Sequence, residues 1–254
     1  MPVRLHVEAK GEGPTIVFSH GFGGSARNFR PQVRVLSDSF RVVAYDARGH
    51  GRSEAPDSAD EYTLERLVDD FERVAGEHDG GRPVIAAGLS LGAATALAFA
   101  SRRPERVSRL ILASPPAAGA TRRDWALGFA DAIEAEGLES AGAEFVWGDR
   151  SRFDPAGAKL IKSGLMEHPG HALAHILRQA LAVLPSPTAL AGTLRLPSLV
   201  IAGGDDAAVL PAARELEACL GARLVVVPGA GHVVNLVAAD AFNAEVRTFL
   251  APDP

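Results

Sequence analysis

The sequence predicts an α/β protein: a mostly parallel, twisted sheet with helices on both faces and a helical insertion before the last two strands. Three observations carry this. Short apolar, β-branched runs recur along the chain, helical patterns separate them, and one stretch from about Pro115 to Leu196 holds no convincing strand. The runs are Thr15-Ile16-Val17-Phe18, Arg41-Val42-Val43-Ala44-Tyr45, Pro83-Val84-Ile85-Ala86-Ala87, Arg109-Leu110-Ile111-Leu112, Leu199-Val200-Ile201-Ala202 and Leu224-Val225-Val226-Val227. Near-continuous apolar strands of this kind suit the middle of a parallel sheet that is covered on both faces. Helical patterns fall between them at residues 26–36, 64–77, 91–101, 212–220 and 240–250, and the alternation argues for parallel crossovers. The exceptional stretch is rich in Ala, Leu and charged residues and is broken by Gly119, Gly137, Gly148, Pro155, Pro169 and Pro185. It reads as several short helices. The expected organisation is a core of residues 1–114 and 197–254, with residues 115–196 inserted.

A chain of 254 residues that is 47% hydrophobic can bury one sizeable core. Lys and Arg total 26 against 31 Asp and Glu, giving a formal net charge of -5. That mild acidity, with no long basic run, offers no footing for nucleic acid or for an anionic membrane. The pairs Arg102-Arg103 and Arg122-Arg123 read as solvated helix ends. One cysteine, Cys219, precludes an internal disulfide and, in its apolar helical pattern, reads as a small buried residue. No segment of about 18 residues runs without charge, as a membrane span would need. Glu8, Lys10 and Glu12 interrupt the first residues, which lack the apolar core of a secretory signal. The expectation is a cytoplasmic protein.

The chemistry concentrates after the strands. Gly88-Leu89-Ser90-Leu91-Gly92 sits between a strand and a helix, where small neighbours allow a sharp turn that strains Ser90 and exposes its hydroxyl at the sheet's C-terminal edge. A serine hydroxyl needs a base. Of eight histidines, only His232 follows a late apolar strand, in Pro228-Gly229-Ala230-Gly231-His232. The base needs a carboxylate to fix its tautomer, and Gly203-Gly204-Asp205-Asp206 ends the preceding strand with two. Both emerge at the right edge and only one can serve. The order Ser, Asp, His matches a nucleophile-elbow arrangement. Upstream, Ser19-His20-Gly21-Phe22-Gly23-Gly24 follows another strand. The peptide N–H groups of Phe22 and Leu91 are the expected oxyanion donors, each worth about 2.7–4 kcal/mol of transition-state stabilisation. His20 reads as a support for this loop.

These motifs, with Tyr45-Asp46-Ala47-Arg48-Gly49-His50-Gly51-Arg52-Ser53 between the first and the second, resemble the α/β-hydrolase superfamily over nearly the whole chain. The resemblance implies an α/β-hydrolase fold, a structural role for Asp46 and Arg48, and a helical cap in the insertion. The family usually writes its acid loop as G-x-x-D, which aligns Gly203 with Asp206 and favours Asp206 over Asp205. Ala93 stands where members commonly have a further glycine.

The implied activity is hydrolysis of a small carboxylic ester or lactone through an acyl-serine intermediate. Ser90 argues against the dehalogenase and epoxide-hydrolase branches, which resemble this chain but use aspartate there. Enol-lactonases, carboxylesterases, perhydrolases and C–C bond hydrolases of vinylogous diketones share the triad, as do signalling receptors that bind a small ligand and keep it. Trp125, Leu127, Phe129, Phe145, Trp147, Leu165, Met166 and Leu177 are candidate pocket walls, with Trp125, Phe129 and Trp147 the substrate-binding choices, although packing between cap helices accounts for most of the set. His171 and His175 stand one helical turn apart, but no Glu or third ligand accompanies them, and neither a metal nor another cofactor is expected. The expected partner is a small-molecule substrate; the sequence leaves the oligomeric state open.

Overall fold

A computed structural model of the chain describes residues 2–148 and 155–251. Its first half contains β1 (Val7–Lys10), β2 (Thr15–Ser19), a 3-10 turn at Ala26–Phe29, α1 (Arg30–Leu36), β3 (Arg41–Tyr45), a 3-10 turn at Ala59–Tyr62, α2 (Leu64–His78), β4 (Val84–Leu89), α3 (Leu91–Arg102) and β5 (Val107–Ala113). Next come α4 (Ala120–Glu136), α5 (Leu138–Gly142), α6 (Pro155–Leu165), α7 (Gly170–Ile176) and α8 (Pro187–Ala191), with π-helical turns at Ala143–Trp147 and Leu177–Leu181. The chain finishes with β6 (Ser198–Gly203), α9 (Leu210–Leu220), β7 (Arg223–Val227), α10 (Val234–Val237) and α11 (Ala239–Leu250). Among the described residues no strand lies between β5 and β6. Residues 149–154 of the expected insertion lie outside the described residues.

The strands form one sheet in the order β1-β3-β2-β4-β5-β6-β7, parallel throughout except for β1. Alternation along β2 shows how its two faces are used: Val17 joins the cluster containing Phe71, Val74 and Leu97 of α2 and α3. Ile16 and Phe18 join the opposite cluster, which holds Leu36 of α1 and Phe242 and Val246 of α11. Both faces are therefore dry, and this is why the strands read as unbroken apolar runs. After β3 the chain crosses to the other side of β2 to form β4, so the C-terminal ends of β2 and β4 flank a topological switch point, where open α/β sheets bind ligands.

Three details differ from the sequence expectation. β1 has the polar sequence VEAK with a half-exposed pattern, and it pairs antiparallel with β3 at the sheet edge. An edge strand half open to water lacks the apolar run that marks the others. The helical pattern at 26–36 is split into a 3-10 turn and α1, because Pro31 lacks an N–H and suits the first turn of a new helix. Cys219 is half-buried on α9 rather than enclosed, with Sγ near the Leu216 carbonyl.

Candidate active site

The turn from β4 into α3 places Ser90 at φ 54°, ψ -118°, a conformation costly for a residue with a Cβ. Neighbouring backbone holds it there: its N–H donates to the Ala113 carbonyl (2.9 Å), and its carbonyl accepts from the N–H groups of Ala93 (2.9 Å) and Ala94 (3.1 Å). The flanking glycines are required by close approach. A methyl on Gly92 would collide with the carbonyl oxygen of Ser19, and one on Gly88 with the carbonyl of Gly92. Ser90 is half-buried and lines a cavity of about 480 Å³.

His232 lines the same cavity. Its Nδ1 lies 2.5 Å from Oδ2 of Asp206, whose side chain is only 2% exposed. The second carboxylate oxygen accepts from the Ala208 N–H (3.3 Å). The loops after β6 and β7 are tied together by Gly204 N–H to Val227 O (2.8 Å) and Asp205 N–H to Ala230 O (3.0 Å). Asp205 supplies that backbone bond while its residue is exposed to solvent. Of the two acids, Asp206 meets His232. With Nδ1 donating to the carboxylate, Nε2 is the basic nitrogen of the ring.

Across the switch point, Gly21, Phe22, Gly23 and Gly24 line the cavity. Buried imidazoles brace this loop. His20 Nδ1 donates to Gly21 O (2.7 Å) and its Nε2 accepts from the Ala47 N–H (2.9 Å). His50 Nε2 accepts from the Gly23 N–H (3.0 Å), and its Nδ1 donates to Arg48 O (3.1 Å). Burial, which disfavours an imidazolium, lowers the pKa of His20 and pushes that of His50 well below the ordinary value. Both therefore hold the loop as neutral rings. Asp46 accepts from Ala26 N–H (2.7 Å) and Arg52 N–H (2.9 Å). Leu91 opens α3, so its peptide N–H has no intrahelical acceptor, and Phe22 stands on the cavity wall.

Further lining comes from the segment between β5 and β6. Trp125 and Leu165 line the cavity, and Trp125 Nε1 donates to Phe145 O (3.1 Å). Phe129 and Trp147 do not line it, contrary to the substrate-binding expectation. Phe129 is fully buried, stacked on Phe145 (5.4 Å between centroids) and edge-on to Phe22 (6.0 Å). Trp147 packs over Gly142, with Lys162 Nζ 5.1 Å from its ring centroid. Leu127, Phe145, Met166 and Leu177 likewise fall outside the lining, whereas Thr121, Leu160, Ile161 and Val209 belong to it. Arg122 overturns a second expectation. Instead of a solvated helix end, its side chain is half-buried in the cavity wall and donates to the carbonyls of Leu181 and Leu184 (2.8 Å for the latter). His175 Nε2 lies 3.2 Å from the Asp57 carbonyl and His171 Nε2 3.9 Å from the Asp57 carboxylate, so both face one surface loop. Among the described residues no cluster of three or more His, Cys, Asp or Glu side chains could hold a metal ion.

Known proteins share this architecture. The sequence profile of the Alpha/beta hydrolase family matches residues 16–245. A protein of Agrobacterium fabrum named for carbamate hydrolysis, RutD, is 30% identical over 266 aligned positions, covering 99% of this chain and 98% of its own length. The crystal structure of a hydrolase from Pseudomonas aeruginosa PA01 superposes with a TM-score of 0.86 at 30% identity, over 98% of this chain and 95% of that one. The enol-lactonase of Burkholderia xenovorans LB400 superposes with a TM-score of 0.83 at 29% identity, over 98% and 96%.

Proposed function

The chain belongs to the alpha/beta hydrolase family, and from that premise we propose that it is a serine hydrolase of a small carboxylic ester or lactone, working through an acyl-serine intermediate. One observation carries the reading: the 2.5 Å contact of His232 with buried Asp206, on an imidazole that shares its cavity with the strained Ser90. In this reading Ser90 Oγ attacks the carbonyl carbon as His232 Nε2 takes its proton. Negative charge collects on the carbonyl oxygen and is met by the N–H groups of Phe22 and Leu91. The protonated His232, stabilised by Asp206, then gives the proton to the leaving alcohol. Water, deprotonated by the same nitrogen, cleaves the acyl-enzyme and restores Ser90.

Relatives named for carbamate and lactone hydrolysis support this, since both bonds join a carbonyl carbon to a heteroatom that leaves. Residues 115–196 are assigned as a cap inserted in the core, on the support that Pro116, Thr121, Trp125, Leu160 and Leu165 line the same cavity as Ser90.

The test is the initial rate on p-nitrophenyl esters of increasing acyl length, with Ser90→Ala in parallel. Fast turnover by the wild type and a loss of roughly 10⁴-fold or more in the variant is the expected outcome. Negligible turnover by folded wild type overturns the reading in favour of C–C bond cleavage or of ligand binding without catalysis.

A further inference from the structure

The cavity's lining carries few polar side chains, and their charges are uneven. Asn28, Ser90, Thr121 and His232 contribute neutral or basic groups, and among the described residues Arg122 is the only lining side chain with a permanent charge. A guanidinium has five N–H donors and no acceptor. Here two point to backbone carbonyls, of Leu181 and Leu184, which fix the group's orientation but bring no counter-charge. Nε is buried and has no hydrogen-bond partner among the described residues. Burial lowers the pKa of Arg122, and no carboxylate among the described residues offsets that.

Two other partly or fully buried arginines of this chain are treated differently. Arg48 is gripped by Asp70 and Glu61, and Arg106 by Glu72 and Asp79. Partial withdrawal of a cation from water without a counter-charge is unfavourable. An anion arriving in the cavity would offset that cost. A carboxylate suits this guanidinium, because it can accept from the terminal N–H groups that the two carbonyls leave over.

We propose that Arg122 docks a carboxylate of the substrate, so that the class hydrolysed is an ester or lactone that itself carries a free carboxylate. The identity of the cleaved bond rests on the serine-hydrolase reading above; the anion site stands on Arg122 alone.

The experiment compares matched substrates. Mono-p-nitrophenyl glutarate, adipate and pimelate are set against neutral p-nitrophenyl esters of equal chain length, after subtraction of spontaneous hydrolysis, which places the carboxylate on the acyl side. Acetoxybenzoate against phenyl acetate places it on the leaving side. On one of the two sides the wild type should prefer the anionic ester in kcat/KM by about tenfold to a hundredfold, as a hydrogen bond to a charged group is worth. Arg122→Leu and Arg122→Gln should bring that ratio close to unity, and Arg122→Lys should leave an intermediate one. A wild-type ratio at or below unity on both sides overturns the proposal, and needs no variant to fold. So does a ratio that survives the loss of the guanidinium in folded variants. If no ester of either kind is turned over, the hydrolase reading fails, and calorimetric titration of glutarate and adipate decides the anion site separately. Binding that Arg122→Leu abolishes sustains it, and binding that is absent or indifferent to the substitution overturns it.

Discussion

At the scale of single residues, burial separates two adjacent carboxylates. Asp206 is withdrawn from water and spends one oxygen on His232 and the other on the Ala208 N–H. Asp205 stands in solvent beside it. Replacing Asp206 by Asn keeps the shape but can present an amide N–H to Nδ1. The ring then places its proton on Nε2, the nitrogen that accepts one from Ser90 in the proposed mechanism. We expect Asp206→Asn to lower kcat on a p-nitrophenyl ester by about 10⁴-fold. Asp205→Asn, with its backbone bond to Ala230 intact, should stay within about threefold, as ordinary surface substitutions do. Equal losses, or the reverse order, would remove Asp206 from the triad. Residue identity made Ser90 and His232 legible because each follows an apolar strand in a setting of small residues. The two acids had the same setting and could not be separated by pattern, since burial is a property of the folded loop.

At the scale of elements, Arg48 works as a staple. It leaves the turn after β3, donates through Nε and Nη2 to both oxygens of Asp70 on α2 (2.7 and 3.0 Å), and reaches the carbonyl and carboxylate of Glu61 in the 3-10 turn (2.6 and 2.8 Å). Arg48 and Asp70 side chains are each 3% exposed, so removal of one strands the other's charge in the core. Arg48→Met should destabilise the fold by about 3–5 kcal/mol, and adding Asp70→Leu should restore most of the loss. Urea unfolding of the single and double variants measures this, and additive losses would show that the pair is not one unit. Elements differed in how openly the sequence declared them. β2 to β6 are legible because burial makes them largely continuous apolar runs, and β7 keeps such a run at a half-exposed edge, whereas β1, at the other edge, spells only VEAK. The aromatic residues of α4 were legible as hydrophobic but not as wall or filler. Helix rotation turns Trp125 and Arg122 toward the cavity and Phe129 into the packing around Phe145, and periodicity alone does not fix that rotation. Charge pattern also misled at Arg122, because two consecutive arginines near a helix start look solvated whichever way the helix faces.

At the scale of the molecule, three imidazoles in contact join the sheet's loops to the inserted helices. His20 follows β2, His50 lies in the turn after β3, and His168 sits between α6 and α7, with ring centroids 4.8 and 4.9 Å apart. His168 Nδ1 accepts from the Gly51 N–H (2.9 Å), and Leu165 packs so closely on Gly23 that a side chain there would collide. All three rings have pKa values lowered chiefly by burial, that of His168 to about 4. Below an unfolded-state value of about 6.5, the unfolded chain therefore binds protons that the native one refuses. The stability these neutral rings provide is complete above about pH 6.5 and declines as pH falls, for His168 down to about 4 at about 1.4 kcal/mol per pH unit. The rings touch, so the losses do not simply add. Because the column ends on the loop bearing Phe22, we expect acid to disturb catalysis and the packing of the helices between β5 and β6 together. Urea unfolding at pH values from about 7.5 down to about 5 should show the decline, and His168→Asn, which can still accept from Gly51, should flatten it. Carboxylates titrate mostly below this window, so a slope unchanged in His168→Asn would remove His168 from the acid response and assign it to His20 and His50.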